Sequence, residues 1–209
     1  MPERAFDELN TTHRDISIPY EKYFGEMDLT KEQKSERISL ARKLEDVMLF
    51  LFALIAVMQE YDKQDMEYAA NCAKERMLSA LNEYMFPDIY LEEYVDNLTK
   101  SIIDTTVKNQ EDEWFLSNDR AVLIAENESN TGFNYDEYRQ AVLEGKTRKQ
   151  WKTEGDSKVR RSHKEVDGVT IGIDELFSVG SSLMRYPKDI SMGAGMEEVA
   201  NCRCTIKYL

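Results

Sequence analysis

"GDSKVRRSHKEVDG", residues 155–168, concentrates two aspartates, a histidine, two adjacent arginines and a turn glycine into one short stretch. Upstream of it, as far as Gly145, apolar residues recur at helical spacing. Downstream, short alternating runs such as "VTIGID" and "CRCTIKYL" are typical of strands, and Asp167-Gly168 is a hairpin-type turn signal before the first of them. The stretch therefore lies in a small strand-and-loop module that follows a helical body, and the sequence predicts an α+β fold.

Charge supports a boundary near residue 145 in this chain of 209 residues. The net charge is −16 over residues 1–145 and +3 over residues 146–209, which together give the −13 of the whole chain. We predict a polar N-terminal arm (1–29), a helical body (30–145) and a small α+β module (146–209). A body this acidic repels phosphate backbones, which excludes a nucleic-acid reader that uses the whole chain.

About five helices are predicted in the body. Thr30 and Gln33 have capping-box spacing, and the helix that follows should run from Lys31 to about Asp62. Its middle, "VMLFLFALIAVM" (47–58), is apolar all round, which calls for burial on every side or for an oligomer interface. This run is too short to span a bilayer.

The later helices are predicted from stripes of apolar residues. A second helix buries Met66, Ala70, Ala73, Met77, Ala80, Leu81 and Tyr84, and a third buries Tyr90, Tyr94, Leu98 and Ile102. "WFLSNDRAVLIAENESN" predicts a fourth helix. "NYDEYRQAVLEG" predicts a short fifth, with Asn134 and Glu137 as its capping box and Gly145 as its stop. In the arm, Tyr20, Tyr23 and Phe24 are candidates to attach it to a body or a partner.

Three cysteines, Cys72, Cys202 and Cys204, do not form a secreted disulfide framework. The N-terminus has no apolar core of a signal peptide. We therefore expect a soluble protein without a membrane partner, made in a reducing compartment.

Asp156, His163 and Asp167 are the candidate acid/base residues. A histidine oriented by a carboxylate suits general acid/base catalysis. The same side chains also suit a loop-rich module in which they hydrogen-bond backbone groups. No nucleophile accompanies them, and phosphate-binding or hydrolase motifs are absent from the sequence. The interpretation we favour assigns no catalytic residue.

"NCRC" adds a candidate metal site. Asp156, His163, Cys202 and Cys204 form a donor set that suits zinc. The C-x-C spacing is shorter than that typical of structural zinc sites, and alternate residues of a strand share a face in any case. We expect no cofactor and two cysteines that fill the core, with zinc as the alternative.

The segment from 146 to 164 is basic, with eight lysines and arginines against two acids. It is a candidate patch for DNA or another anionic partner. The alternative, which we favour, is a solvated face or pairing with carboxylates of the same protein. The candidate residues are Lys146, Arg148, Lys149, Lys152, Lys158, Arg161 and Lys164.

The C-terminal residues resemble the Mu F-like minor head proteins, which are head morphogenesis proteins of tailed phages and prophages. The resemblance covers about residues 119–206 and rests on Trp151, Thr153, Asp156, Val159-Arg160, Ser162-His163, Asp167-Gly168, Ile173-Asp174, Phe177, Tyr186-Pro187, Asp189, Glu197-Glu198 and Asn201-Cys202-Arg203-Cys204. Many members carry a histidine just before the cysteine pair, where this chain has "EEVAN".

The resemblance implies a few-copy structural protein of the virion head. Such a protein acts in head assembly, genome packaging or DNA delivery at the portal vertex. Its partners would be portal and capsid or scaffold proteins and, weakly, packaged DNA. It would lie in the host cytoplasm during assembly and then in the virion head. Residues that carry the resemblance would form the internal framework of the module: Trp151, Asp156, Arg160, His163, Asp167, Gly168, Phe177, Pro187, Cys202, Arg203 and Cys204. In this framework Asp156 and His163 tie loops together, Arg160 bridges carboxylates and the cysteines fill core.

An enzyme is the rival hypothesis. A nuclease or a toxin-like transferase would use Glu128, Asp156 and His163. The two hypotheses differ in one observable: whether these three side chains converge on an open pocket.

Overall fold

A computed structural model describes residues 17–58 and 62–209. Its longer helices are α1 (Ser17–Gly25), α2 (Lys31–Val57), α3 (Lys63–Leu81), α4 (Ile89–Lys108) and α5 (Asn118–Leu143), with a 3-10 turn at Glu113–Leu116. Strands and two short helices follow: β1 (Arg148–Lys152), α6 (Arg161–Val166), β2 (Thr170–Gly172), β3 (Phe177–Val179), β4 (Ser182–Met184), α7 (Met196–Val199) and β5 (Thr205–Tyr208). Helices followed by a small strand module confirm the predicted α+β class.

Two small antiparallel sheets form within the C-terminal module. The first has the order β2-β1-β5, with Gln150 of β1 opposite Thr170 on one side and Lys207 on the other. The second is the hairpin β3-β4. Asp167-Gly168 connects α6 to β2 and is therefore a helix-to-strand turn, although the prediction made it a hairpin turn.

The chain divides into two compact units whose limits differ from the predicted boundary near residue 145. The helical unit consists of residues up to Lys22 and of Ile38–Glu126, and the C-terminal unit consists of Tyr23–Arg37 and Asn127–Leu209. The break thus falls within α1, α2 and α5. Charge and composition change at the end of α5, whereas compactness depends on which residues of a helix pack together, so the two criteria give different limits.

The start of α2 has the predicted capping box. Thr30 Oγ1 accepts from the Gln33 amide, and Gln33 Oε1 accepts from the Thr30 amide, at 3.2 and 3.0 Å. The helix ends at Val57, short of the predicted Asp62. Its apolar middle is also not buried on every side, since Val57 is 66% exposed. The buried face follows helical spacing and consists of Leu40, Leu44, Val47, Met48, Leu51, Phe52 and Ile55.

Helices α3 and α4 differ in how well their stripes were predicted. In α3 the buried residues are Ala69, Ala70, Ala73, Met77, Ala80 and Leu81, close to the prediction. In α4 the buried stripe is Leu91, Val95, Thr99, Ile102, Ile103 and Thr106, so the face is rotated from the predicted tyrosine stripe. Tyr90 and Tyr94 are half-buried.

Two predicted helices are a single one. Helix α5 continues through Asn134, which the sequence presented as an N-cap. Its side chain instead donates to the Pro187 carbonyl at 3.0 Å, a tertiary contact that competes with capping. The predicted stop is correct: α5 ends at Leu143 and Gly145 has a φ of +73°.

The predicted arm is partly helical. Residues 1–16 of that prediction lie outside the described residues, whereas Ser17–Gly25 forms α1. Tyr20 and Phe24 are fully buried, and Tyr20 donates to Glu45 of the helical unit at 2.7 Å. None of the helices within 17–58 and 62–209 is both long enough and apolar enough to cross a bilayer.

Candidate functional site

His163 is carried by α6, a helix of six residues in the middle of the stretch 155–168. Its ring packs edge-on against Trp151, with centroids 5.7 Å apart. Val166, one turn further on, packs into the same core as Trp151. Burial of this face leaves the imidazole only 2% exposed, inside the module.

Two cysteine sulfurs lie beside the Nδ1 atom of the His163 ring. Its Nδ1 lies 3.3 Å from the Cys204 sulfur and 3.5 Å from the Cys202 sulfur. Both cysteines are buried and precede β5, while Arg203 between them points away. Alternation along extended chain places both sulfurs on one side, as the sequence suggested, although the strand itself begins only at Thr205.

Glu198 completes the cluster from the opposite side of the imidazole. Its Oε2 lies 3.0 Å from His163 Nε2 and accepts the Ser162 hydroxyl at 2.7 Å. Gly180, with φ +59°, leaves the space that this carboxylate occupies, because a Cβ there would collide with Glu198 Oε1. From the sequence, Glu198 was predicted only as part of the family resemblance and not as a neighbour of His163. It is 35 residues from His163, and no spacing rule connects the two.

The cluster perturbs the pKa values of its members. Burial opposes protonation of His163, but its hydrogen bond to Cys202 and the charges of Cys202 and Glu198 outweigh burial and raise the imidazole pKa. Hydrogen bonds from Cys204 and His163 hold the pKa of the Cys202 thiol well below its usual range despite burial. The hydrogen bond to Cys202 and burial raise the pKa of the Cys204 thiol.

A cavity of about 20 Å³ adjoins this cluster. Its lining includes His163, Cys202, Cys204, Glu154 and Arg160. This volume suits one water molecule.

Asp156 lies in a separate network. Its two carboxylate oxygens accept from Arg203 at 2.9 and 2.8 Å, and the Lys158 amide donates to Oδ1 at 2.9 Å. Arg203 also binds Glu26 at 2.9 Å, and Lys158 binds the same carboxylate. Arg203 holds the pKa of Asp156 below its usual range. Asp156 is thus an ion-pair partner of Arg203. It was predicted as a fourth metal ligand, but its carboxylate does not join the group of His163, Cys202 and Cys204.

Arg160 was predicted to bridge carboxylates, but among the residues that the structure describes it contacts a backbone carbonyl instead. Its guanidinium donates to the Ala200 carbonyl, and the bridging position belongs to Arg203. The sequence does not reveal which arginine binds the acidic groups, because Glu26 and Asp156 are distant from Arg203 in sequence and meet it only in the folded chain.

The other framework candidates occupy the core or its turns. Trp151 and Phe177 pack edge to face at 5.2 Å between centroids. Asp167 accepts the Thr153 amide at 2.8 Å, and the Gly168 amide donates to the Trp151 carbonyl at 2.8 Å. The Pro187 carbonyl accepts from Asn134. The apolar cluster consists of Trp151, Val166, Phe177, Val179, Met184, Val199, Cys202 and Cys204.

An asparagine ladder on α5 is a feature that the sequence analysis missed. Asn130 donates to the Cys202 carbonyl at 3.2 Å, Asn134 donates to the Pro187 carbonyl, and Asn127 Oδ1 accepts the Asn201 amide at 2.9 Å. The spacing of these asparagines, 127, 130 and 134, places them on one helical face. The sequence does show these asparagines as a polar stripe along one face of α5. This stripe could have predicted the face that binds the C-terminal segment.

The predicted basic patch is smaller than the sequence suggested. Lys149 is fully buried, so it cannot be part of an exposed patch. Its ammonium lies over the rings of Tyr138 and Phe177, on the buried side of β1. Lys158 pairs with Glu26, and Arg161 pairs with Glu165. Arg148 and Lys164 are exposed, whereas Lys146 and Lys152 are half-buried.

The three enzyme candidates do not meet at one pocket. His163 lines the cavity, but Asp156 and Glu128 are not among the described residues that line it. Glu128 is half-buried on α5. The arrangement brings His163 together with Glu198 and the cysteines, and it places the two candidate acids elsewhere.

Comparison with known proteins agrees with the resemblance found in the sequence. The family model described as "Phage Mu protein F like protein" matches residues 91–207, more than half of the chain. No curated protein and no solved structure is significantly similar to the chain. The matched range begins in α4 and contains α5, both sheets and the histidine–cysteine cluster. The protein therefore belongs to the Phage Mu protein F-like family of phage head morphogenesis proteins.

Proposed function

We propose that this protein is a minor structural protein of a phage head, present in few copies at the portal vertex. There it acts in head assembly, genome packaging or DNA delivery. The observation that carries the proposal is the family match over residues 91–207. Its partners are the portal protein and capsid or scaffold proteins, with weak contact to packaged DNA. The protein assembles in the host cytoplasm and stays in the virion head.

The chemistry of the C-terminal unit supports a structural role. The polar groups of the cluster bind one another: His163 contacts Glu198 and the cysteines, and Asp156 binds Arg203. Catalysis needs a reactive group that reaches a substrate, whereas the imidazole here is 2% exposed beside a cavity of about 20 Å³. The net charge of −13 also limits tight DNA binding, which suits a protein that works beside packaged DNA without being held by it.

Deletion of the gene from its phage tests the proposal. We expect particles that are empty or non-infectious, with infectivity restored by the chain supplied in trans. In wild-type virions, quantitative mass spectrometry should find the chain at a small number of copies relative to the major capsid protein. Filled, infectious heads at normal yield without the chain would contradict the proposal.

A matched variant separates the structural role from the enzymatic alternative. The double substitution Glu128→Gln and Asp156→Asn removes both candidate catalytic carboxylates and keeps the size of the side chains. If the role is structural, this variant restores infectivity provided that its melting temperature stays near that of the wild type. Failure of a normally stable variant to complement would favour the enzyme.

A further inference from the structure

Three of the four residues that the sequence offered as metal ligands, His163, Cys202 and Cys204, form one cluster in the structure. All three side chains are buried, and their ligand atoms lie within 4.8 Å of one another. They come from two places in the chain, α6 and the segment before β5. Two sulfurs and an imidazole nitrogen are the donors that zinc prefers.

The separations of the imidazole nitrogen from the two sulfurs match those of a tetrahedral centre. Zinc bonds of about 2.3 Å to sulfur and about 2.05 Å to nitrogen place a sulfur and a nitrogen ligand about 3.5 Å apart. The observed separations of Nδ1 from the two sulfurs are 3.3 and 3.5 Å. All three ligand atoms lie within 4.8 Å of one another, so one ion can contact all of them after at most a small adjustment of the cysteine side chains.

Glu198 orients the imidazole for this purpose. A neutral histidine that donates its Nε2–H to Glu198 Oε2, 3.0 Å away, has its Nδ1 lone pair directed to the two sulfurs. A carboxylate behind a ligand histidine is the common arrangement at zinc sites, where it fixes the tautomer and raises the basicity of the ligand. Glu198 is itself held by the Ser162 hydroxyl and fits in the space beside Gly180.

The C-x-C spacing is not an obstacle in this structure. The usual longer spacing lets a tight turn bring two cysteines to one ion. Here Arg203 binds Asp156 and Glu26, and the cysteines on either side of it are buried with their sulfurs beside His163.

We propose that His163 Nδ1, Cys202 Sγ and Cys204 Sγ bind one Zn²⁺, with a water molecule from the adjoining cavity as the fourth ligand. The ion replaces the thiol protons, which pass to solvent, and it joins α6 to the C-terminal segment. Asp156, the fourth candidate in the sequence, is not a ligand because it binds Arg203. The site goes beyond the proposed head function and does not depend on it.

Metal content of the full-length chain is the direct test. The chain is produced with an affinity tag that lacks histidine and is purified without chelator. Elemental analysis should find about one zinc per chain. Replacement by Co²⁺ should give the visible absorption of a tetrahedral ion together with sulfur-to-cobalt charge-transfer bands in the near ultraviolet. A metal-free chain that takes up neither Zn²⁺ nor Co²⁺ when refolded with either ion would overturn the proposal.

The third cysteine supplies the matched control. Cys72 belongs to the helical unit and is not in the cluster, so Cys72→Ser should keep the zinc and the cobalt spectrum. Cys202→Ser and Cys204→Ser should each lose the charge-transfer intensity of one sulfur and most of the affinity. Loss of zinc from Cys72→Ser, or retention of wild-type affinity in both other variants, would contradict the assignment.

Glu198→Gln addresses the risk that the cysteine variants fail to fold. This substitution keeps the shape and a hydrogen bond to His163 while removing the charge. We expect zinc affinity, measured by competition with a chromophoric chelator, to fall about 10- to 100-fold. Unchanged affinity in a folded Glu198→Gln variant would remove Glu198 from the site.

A metal-free hydrogen-bonded cluster is the alternative, and thiol labelling distinguishes the two. Zinc should slow alkylation of Cys202 and Cys204, and removal of zinc by a chelator should restore it, while Cys72 reacts at the same rate in both states. Equal alkylation of the pair with and without zinc would support the metal-free cluster.

Discussion

The helical unit and the C-terminal unit bury different kinds of side chain. In the helical unit the interior is mainly aliphatic, with residues such as Leu44, Met48 and Leu51 that recur at helical spacing and are fully buried, although Glu45 and Arg120 are also buried there. In the C-terminal unit, Trp151 and Phe177 share the interior with two cysteines, and His163, Lys149 and Glu198 are buried with them.

The difference follows from the length of the elements. A helix of twenty or more residues presents a continuous apolar face, so transfer of hydrocarbon from water stabilises the helical unit. The strands of the C-terminal unit have three to five residues and bury little area each. Small strand modules need specific bonds as well as a core, and hydrogen-bonded or metal-bound side chains supply them. The comparison predicts that the two units respond differently to substitution and to pH.

Each unit contains one of the two tryptophans, so tryptophan fluorescence can follow the unfolding of each unit separately. Trp114 belongs to the helical unit and is 44% exposed, whereas Trp151 belongs to the C-terminal unit and is fully buried. In a Trp114→Phe background, fluorescence reports unfolding around Trp151. In a Trp151→Phe background it reports the helical unit.

The largest effect is expected from His163→Ala. Loss of the imidazole leaves a void beside Trp151 and leaves the buried Glu198 carboxylate with Ser162 as its remaining partner, at a cost of about 4 kcal/mol in the free energy of unfolding. Urea unfolding followed through Trp151 measures the loss. Lys164→Ala, an exposed neighbour in the same helix, should change the free energy by less than about 0.5 kcal/mol. Equal midpoints for the two variants would show that the cluster does not stabilise the module.

Leu44→Ala is the counterpart in the helical unit. Leu44 is fully buried, and its truncation removes apolar contact and leaves a cavity, at a cost of about 3 kcal/mol. The effect should be seen through Trp114 and should stay constant with pH, because no charge is involved. Arg42→Ala, on the exposed side of the same helix, is the control. If the loss of free energy of unfolding in Leu44→Ala depended strongly on pH, the proposed difference between the two interiors would be wrong.

Gly180→Ala should lower the free energy of unfolding by about 2 kcal/mol, the next largest effect. A methyl group there meets both a positive φ of +59° and the Glu198 carboxylate. Gly155→Ala is the matched control, because Gly155 has a φ of +68° with open space around it. Its cost should be the backbone strain alone, about 1 kcal/mol. If thermal unfolding gives the two variants the same loss, Glu198 can move aside at no cost.

Lys149→Met should raise the free energy of unfolding by about 1.5 kcal/mol near neutral pH. Burial, together with the charge of Arg185, lowers the pKa of Lys149 from 10.5 to about 8 in the folded protein. Between these values the unfolded chain binds more protons than the folded one, so this group makes the wild type more stable as pH rises from about 8 to 10.5.

The stability advantage of Lys149→Met should therefore shrink across that pH range. Chemical denaturation of both proteins at several pH values measures the difference between their free energies of unfolding. The contributions of groups that titrate in both proteins cancel in this difference. A constant difference would mean that the ammonium of Lys149 is solvated in the folded state.

Local rules predicted what depends on neighbouring residues. The Thr30–Gln33 capping box, the stop at Gly145 and the buried face of α3 follow from spacings within one or two turns. The same rules failed at Asn134, where a capping signal inside α5 was overridden by a bond to Pro187, 53 residues away. They also counted Lys149 as a surface cation, although its neighbours in the fold are aromatic rings.

Sequence alone determined the α+β class, the family and the presence of His163, Cys202 and Cys204 in one module, because periodicity, turn residues and motif order are written along the chain. Only the tertiary structure decided that Glu198 stands behind the imidazole, that Asp156 binds Arg203 and that the compact units divide within α2 and α5. These outcomes depend on packing between segments tens of residues apart, where burial selects one partner among many that local sequence allows.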